Sequence, residues 1–179
     1  MPTFLSEVRE KIVFAIFRSI QPFYFLSRFK RQPWNLSTED LSQFPKASLG
    51  HDLYLFLTRN QLQLLPRAEF HDTYHVLFEY GTTMKEETCG QFITLGNGKK
   101  SLANLTCVGI ALFFYPEEWT NFQRAYQTGK QALPFHKWDM KRHLSTPTAT
   151  LRQLIFQEEP SEPLSYEVLQ GPENSIERA

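Results

Sequence analysis

Apolar residues along the chain recur at three- and four-residue steps, and no segment alternates convincingly, so the pattern predicts helices throughout. The first begins near Ser6, with Leu5, Val8, Ile12, Ile16, Ile20 and Phe23 on one side and Arg9, Lys11 and Arg18 on the other. Pro22 ends or kinks it. Ser37 to Pro45 predicts a short capped helix, and His51–Gln63 a longer one stopped by Pro66. Arg67–Tyr80 and Met84–Leu95 follow, the second closed by Gly96-Asn97-Gly98. Leu102–Tyr115 is apolar nearly all round, the signature of a helix buried at the centre of a bundle. Glu117–Gln131 and a last short helix through Leu151, Leu154 and Ile155 complete the set. The expected fold is all-α: a single-domain helical bundle with a central apolar helix and an amphipathic N-terminal one. The domain spans residues 1–157, and 158–179, rich in Glu, Pro and Ser, form a flexible acidic tail.

Composition changes this picture in one respect. The 16 Phe, 7 Tyr and 3 Trp among 179 residues make an aromatic share of 15%. Either the core is Phe-rich, or a cavity is built for an apolar ligand. Phe78, Leu105, Val108, Leu112 and Phe113 are the candidates for lining such a pocket. Net charge is zero, which offers nucleic acid no basic field. The N-terminal stretch is nonetheless basic and amphipathic, which fits a helix packed on the core or one lying on anionic membrane. No apolar run is long enough for a transmembrane helix. Charged residues at positions 7–11 speak against a cleaved signal. Two isolated cysteines, Cys89 and Cys107, form no disulfide framework and fit a reducing compartment.

The candidate chemistry lies in His71-Asp72-Thr73-Tyr74-His75 and Glu87. On a helix, residues 71, 72 and 75 project at about 0, 100 and 40 degrees, so the three share a face. Thr83 and Glu86 have the form of a capping box, which gives Glu86 a structural task and leaves Glu87 for the site. His71, Asp72, His75 and Glu87 therefore offer two nitrogen and two oxygen donors to a divalent metal. The bland alternative is a buried network in which the histidines and acids satisfy one another. His-Asp-x-x-His is also similar to the zincin motif, but Asp is shorter than the Glu of that motif and the strand-rich setting is missing. Phosphate-binding loops, nucleophile elbows and dinucleotide fingerprints are missing too.

Taken together, these residues resemble the ubiquinone (coenzyme Q) biosynthesis proteins of the Coq-four type. That family is marked by His-Asp-x-x-His, eleven residues, then Glu, matched here by His71, Asp72, His75 and Glu87. Leu49-Gly50 with Tyr54 and Phe56-Leu57 agrees, as do Ala125 to Lys130, Trp138 and Leu151-Arg152, so that the likeness covers roughly residues 38–156. Lys130 stands where Arg is usual, and the Lys-Trp-Phe-Glu run expected after Glu87 is missing, which points to a distant, bacterial member.

The resemblance implies an all-helical protein that binds a polyprenyl (isoprenoid) lipid beside a divalent metal held by His71, Asp72, His75 and Glu87. Zinc is the first expectation, with iron, manganese or magnesium as alternatives. It implies a part in oxidative decarboxylation of the prenylated quinone precursor, or else a non-catalytic scaffold for other quinone-biosynthesis proteins. It further implies cytoplasmic placement, peripheral on the inner membrane face, with those proteins and a second copy of the chain as partners.

Overall fold

A computed structural model describes residues 8–16, 18–19 and 31–157. The expectations for the start of the first helix, for its end at Pro22 and for the acidic tail at 158–179 lie outside these residues. The helices with defined ends are α1 (Thr38–Leu41), α2 (Leu49–Arg59), α3 (Glu69–Phe78), α4 (Met84–Gly96), α5 (Leu102–Phe114), α6 (Trp119–Gln131) and α7 (Thr148–Phe156). Residues 8–16 and 18–19 are also helical. The described residues contain no strand, only an isolated bridge between Ser48 and Pro147, and the fold is all-α.

Starts and stops follow local chemistry. Ser37, Ser48, Thr83 and Ser101 each accept a backbone N–H in the first turn of α1, α2, α4 and α5. The cap at Ser48 starts α2 two residues before the predicted His51. Pro116 ends α5 and opens a single 3-10 turn, Pro116–Glu118, that leads into α6. The stretch after Pro134, irregular in sequence, makes two further 3-10 turns, Phe135–Lys137 and Met140–His143.

α4 packs most extensively on α6 and next on α5, while α3 packs mainly on α2 and meets α7 and α4 more lightly and to a similar extent. The α4–α6 contact is backbone to backbone. A Cβ on Gly129 would collide with the Ile93 carbonyl, and one on Gly96 with the Tyr126 carbonyl. Only glycine at both points lets the helices approach this closely. Beside the crossing, buried Asn97 donates to the carbonyls of Gly129 (3.0 Å) and Leu133 (2.8 Å) and accepts the His136 N–H (3.0 Å). One side chain thus ties the end of α4 to the chain leaving α6.

The aromatic excess goes largely into the core. Phe92 and Phe122 stack at 4.8 Å across the α4–α6 interface. Phe135 is fully buried and meets Tyr74, Phe78 and Phe156 edge-on or tilted. The central apolar helix is a correction. α5 buries Asn104, Cys107, Val108 and Ala111 against its neighbours but turns Leu102 (83% exposed), Leu105, Leu112 and Phe113 (79% exposed) outward. An all-round apolar helix maximises burial at a bundle centre, but here Gly96 and Gly129 give that place to the α4–α6 pair.

The N-terminal helical segment packs on the core through Val13, fully buried, while Ile12 and Phe14 stay exposed. Arg9 pairs with Glu117 at 2.7 Å and lies over the Tyr115 ring, which fixes the segment beside the end of α5.

Candidate metal centre

α3 has no side-chain cap at its start and is instead anchored by Glu69, a buried carboxylate that accepts the Trp34 N–H at 2.8 Å. It ends at Glu79, whose left-handed backbone (φ 54°) turns the chain back, and Glu79 is ion-paired with Arg152 of α7. α4 then begins with the predicted capping box. Thr83 Oγ1 accepts the Glu86 N–H, and the Glu86 carboxylate accepts the Thr83 N–H at 3.2 Å. Gly81 lies against that carboxylate, where a Cβ would come within 2.8 Å of it. With Glu86 occupied, Glu87 turns to α3.

Glu87 Oε1 is 3.2 Å from His75 Nε2, and Oε2 is 3.4 Å from His71 Nε2. One ligand atom from each of the three residues lies within 4.8 Å of the others, so His71, His75 and Glu87 are placed to hold a metal ion. The far side of each ring is also engaged. His75 Nδ1 faces the carbonyls of Gly81 (3.0 Å) and Tyr80 (3.3 Å), and His71 Nδ1 faces Asp72 Oδ1 at 3.4 Å. Phe56 of α2 stacks on the His75 ring at 5.0 Å.

This arrangement decides how the sites carry protons. Carbonyl oxygens only accept, so His75 Nδ1 is the donor and a neutral ring aims its Nε2 lone pair at Glu87. His71, with Nδ1 toward Asp72, does the same. Lone pairs aimed at a carboxylate repel it unless a proton or a cation lies between. The donor set therefore fits a divalent cation, whose two charges Glu87 and Asp72 would balance. Without metal, a proton takes that place. Burial lowers the His71 pKa, but hydrogen bonds to Asp72 and Glu87 and their negative charge outweigh it and raise it to about 9. Burial raises that of Glu87, yet the two histidines drive it well below the usual carboxylate range.

Of the four predicted ligands, three converge and Asp72 does not. One position beyond His71, it lies about 100 degrees round the helix and reaches the outer nitrogen of that ring instead. It is an orienting partner of His71. The pocket candidates also separate. Phe78 and Val108 are buried in the core, whereas Leu105, Leu112 and Phe113 are on the surface, so the five line no common cavity. What the structure does have is a small cleft between α3 and α4. It is lined by His71, Tyr74, His75 and Phe78 on one wall and Glu87, Gly90, Gln91 and Thr94 on the other. Each wall is an i, i+3, i+4, i+7 stripe. Extending the helical step from Glu87 would have located Gly90, Gln91 and Thr94 in the sequence. The other histidines have different surroundings, His136 being held by Asn97; Asp52, next to His51, accepts from Thr148 Oγ1 at 2.6 Å.

No family model matches the chain, and no curated protein matches its sequence. One solved structure that it resembles is the crystal structure of a Nostoc punctiforme protein provisionally named for ubiquinone biosynthesis. The two share 17% of their residues with a TM-score of 0.54, over 88% of this chain and 83% of that one. At that identity the likeness speaks for the fold, an all-α domain of the same architecture.

Proposed function

We propose that this protein acts in the biosynthesis of a ubiquinone-type quinone. In this reading it holds a divalent metal at His71, His75 and Glu87 and acts on the polar head of a polyprenylated aromatic acid brought to that metal. The observation that carries the reading is the convergence of two Nε2 atoms and one carboxylate on a common point, with both outer ring nitrogens already occupied. Three protein donors leave coordination positions for a substrate oxygen, as in metal sites that act rather than only brace a fold. Zinc suits the two nitrogens and one oxygen, and iron or manganese suits them as well; magnesium, which prefers oxygen, fits least. When bound, the metal supplies a positive charge that stabilises negative charge developing on a carboxylate or phenolate, which is what decarboxylation of the precursor ring requires. The chain's own part is to orient the two imidazoles through Asp72 and the Gly81 carbonyl.

The prenyl tail and the membrane belong to the same reading. α5 carries no charged residue from Leu102 to Phe114 and exposes Leu102, Leu105, Leu112 and Phe113, with Lys99 and Lys100 just before it. Such a face suits the surface of an anionic membrane from which a lipid substrate is taken. No helix among the described residues is long and apolar enough to cross a membrane, so the association proposed is peripheral.

That exposed face also supports a second reading, in which the protein is a non-catalytic lipid-binding scaffold for other quinone-biosynthesis enzymes. Metal analysis of the purified protein, with quinone production by His71→Ala, separates the two. The metal-dependent reading expects about one divalent ion per chain, and in the variant loss of both metal and quinone with the fold retained. A folded, metal-free His71→Ala that still supports quinone production leaves the scaffold.

A further inference from the structure

The imidazole of His75 is held by more than the hairpin that carries it. Its Nδ1 faces the Gly81 carbonyl at 3.0 Å and that of Tyr80 at 3.3 Å, which fixes where one ring nitrogen points. A ring held only along that edge can still rock about the Nδ1–oxygen axis, and the terminal torsion of histidine is broad. Rocking matters for a ligand, because the Nε2 lone pair lies in the ring plane and a ring turned out of plane aims past the ion. The plane has to be set by something flat. Phe56 of α2 is that neighbour: its ring lies against the His75 ring, with centroids 5.0 Å apart and planes 17° from parallel. The His71 ring, at 69° to that of His75, meets it too steeply to do the same.

Core packing does not by itself call for an aromatic ring at this position. α2 is seated on the core by Leu49, Leu53 and Leu57, all fully buried, whereas Phe56 is half-buried. Tyr54, two residues earlier and also half-buried, turns to His51 instead of the site. His75, by contrast, is 8% exposed, so the Phe56 ring lies against a buried imidazole. α2 also makes the most extensive helix contact of α3, which holds Phe56 in register with His75 from outside the metal-binding hairpin.

We infer that Phe56 is a positioning residue of the metal centre, setting the plane of His75 so that Nε2 is aimed before an ion arrives. Metal retention by α3 and α4 thereby depends on a third helix. The inference rests on the proposed metal site, since the plane of the ring matters only where Nε2 is a ligand.

The test uses the full chain, with Zn2+ affinity read by competition against a chromophoric chelator and the site geometry by visible absorption of the Co2+-loaded protein. Phe56→Leu keeps apolar bulk and removes the flat face, and Phe56→Tyr keeps the face. Tyr54→Leu removes an aromatic ring from the same helix away from the site. Zn2+ affinity should fall about tenfold in Phe56→Leu and stay within about threefold of wild type in Phe56→Tyr and Tyr54→Leu, the scale of a residue that orients a ligand. The Co2+ spectrum should change in Phe56→Leu and match the wild type in Phe56→Tyr. If Phe56→Leu does not fold, Phe56→Met takes its place with the same expectation. Wild-type affinity in Phe56→Leu, or an equal loss in Phe56→Tyr or Tyr54→Leu, overturns the role of Phe56 and leaves the metal centre standing. A wild type that holds no Zn2+ overturns both.

Discussion

At the scale of the residue, the division of labour between neighbours is the main result. Glu86 closes a helix cap and Glu87 faces two histidines; His71 offers one nitrogen to the site and Asp72 braces the other. These roles separate in metal binding. Glu87→Ala should abolish metal retention, whereas Asp72→Asn should weaken affinity by about 10–100-fold without abolishing it, as expected for a partner that orients a ligand. Elemental analysis and chelator competition read both, and equal loss in the two variants would make Asp72 a ligand after all.

Protonation gives a second test. The His71 pKa is raised from 6.5 to about 9, so in the metal-free protein its pairing stabilises the fold fully below pH 6.5 and is lost as pH rises through about 9. Glu87 is shifted down from 4.5, so its contribution is present above pH 4.5 and lost as pH falls further. Metal-free stability attributable to the site should therefore peak between these limits. Urea midpoints measured across pH should show an alkaline decline that His71→Ala flattens. Metal binding has the opposite dependence. A metal must displace the His71 proton, so affinity should rise about tenfold per pH unit up to about pH 9.

At the scale of the element, the hairpin of α3 and α4 works because its halves are held from outside rather than by each other. α3 leans mainly on α2, α4 on α6 and α5, and the light contact between α3 and α4 leaves a small cleft. The α4–α6 crossing is the more demanding contact. Gly129→Ala should destabilise the fold by about 3 kcal/mol, since the methyl would overlap the Ile93 carbonyl and the helix-propensity gain of about 1 kcal/mol does not offset that. Chemical denaturation of the variant checks it, and a stability equal to wild type would mean that the helices separate without cost.

At the scale of the whole molecule, the distribution of apolar surface sets α5 apart. Phe122 is fully buried and Phe113 is 79% exposed, so Phe122→Ala should cost about 3–5 kcal/mol while Phe113→Ser stays within about 0.5 kcal/mol. Had α5 lain at the bundle centre, both would be costly. If the exposed face meets lipid, Phe113→Ser should also reduce co-sedimentation with anionic vesicles while its denaturation midpoint is unchanged.

Much of this was legible along the chain. The helices α1 to α7 follow from apolar spacing, Ser and Thr caps, and proline or Gly-Asn-Gly stops, because those signals act within a turn or two. The same local logic assigned Glu86 to the cap and freed Glu87, and placed His71 and His75 on one face. What the sequence left open depends on contacts distant along the chain. Asp72 shares that face closely enough to look like a ligand, and only the position of Glu87 on the opposite helix shows that it is turned to the outer side of His71. α5 has the composition of a central helix, but two glycines, Gly96 and Gly129, let α4 and α6 take that place. The Asn104–Gln91 contact joins α5 to α4 through side chains whose meeting no periodicity predicts. Hydrophobic spacing determines which segments coil and which face turns inward; which helix meets which is decided by packing among all of them at once.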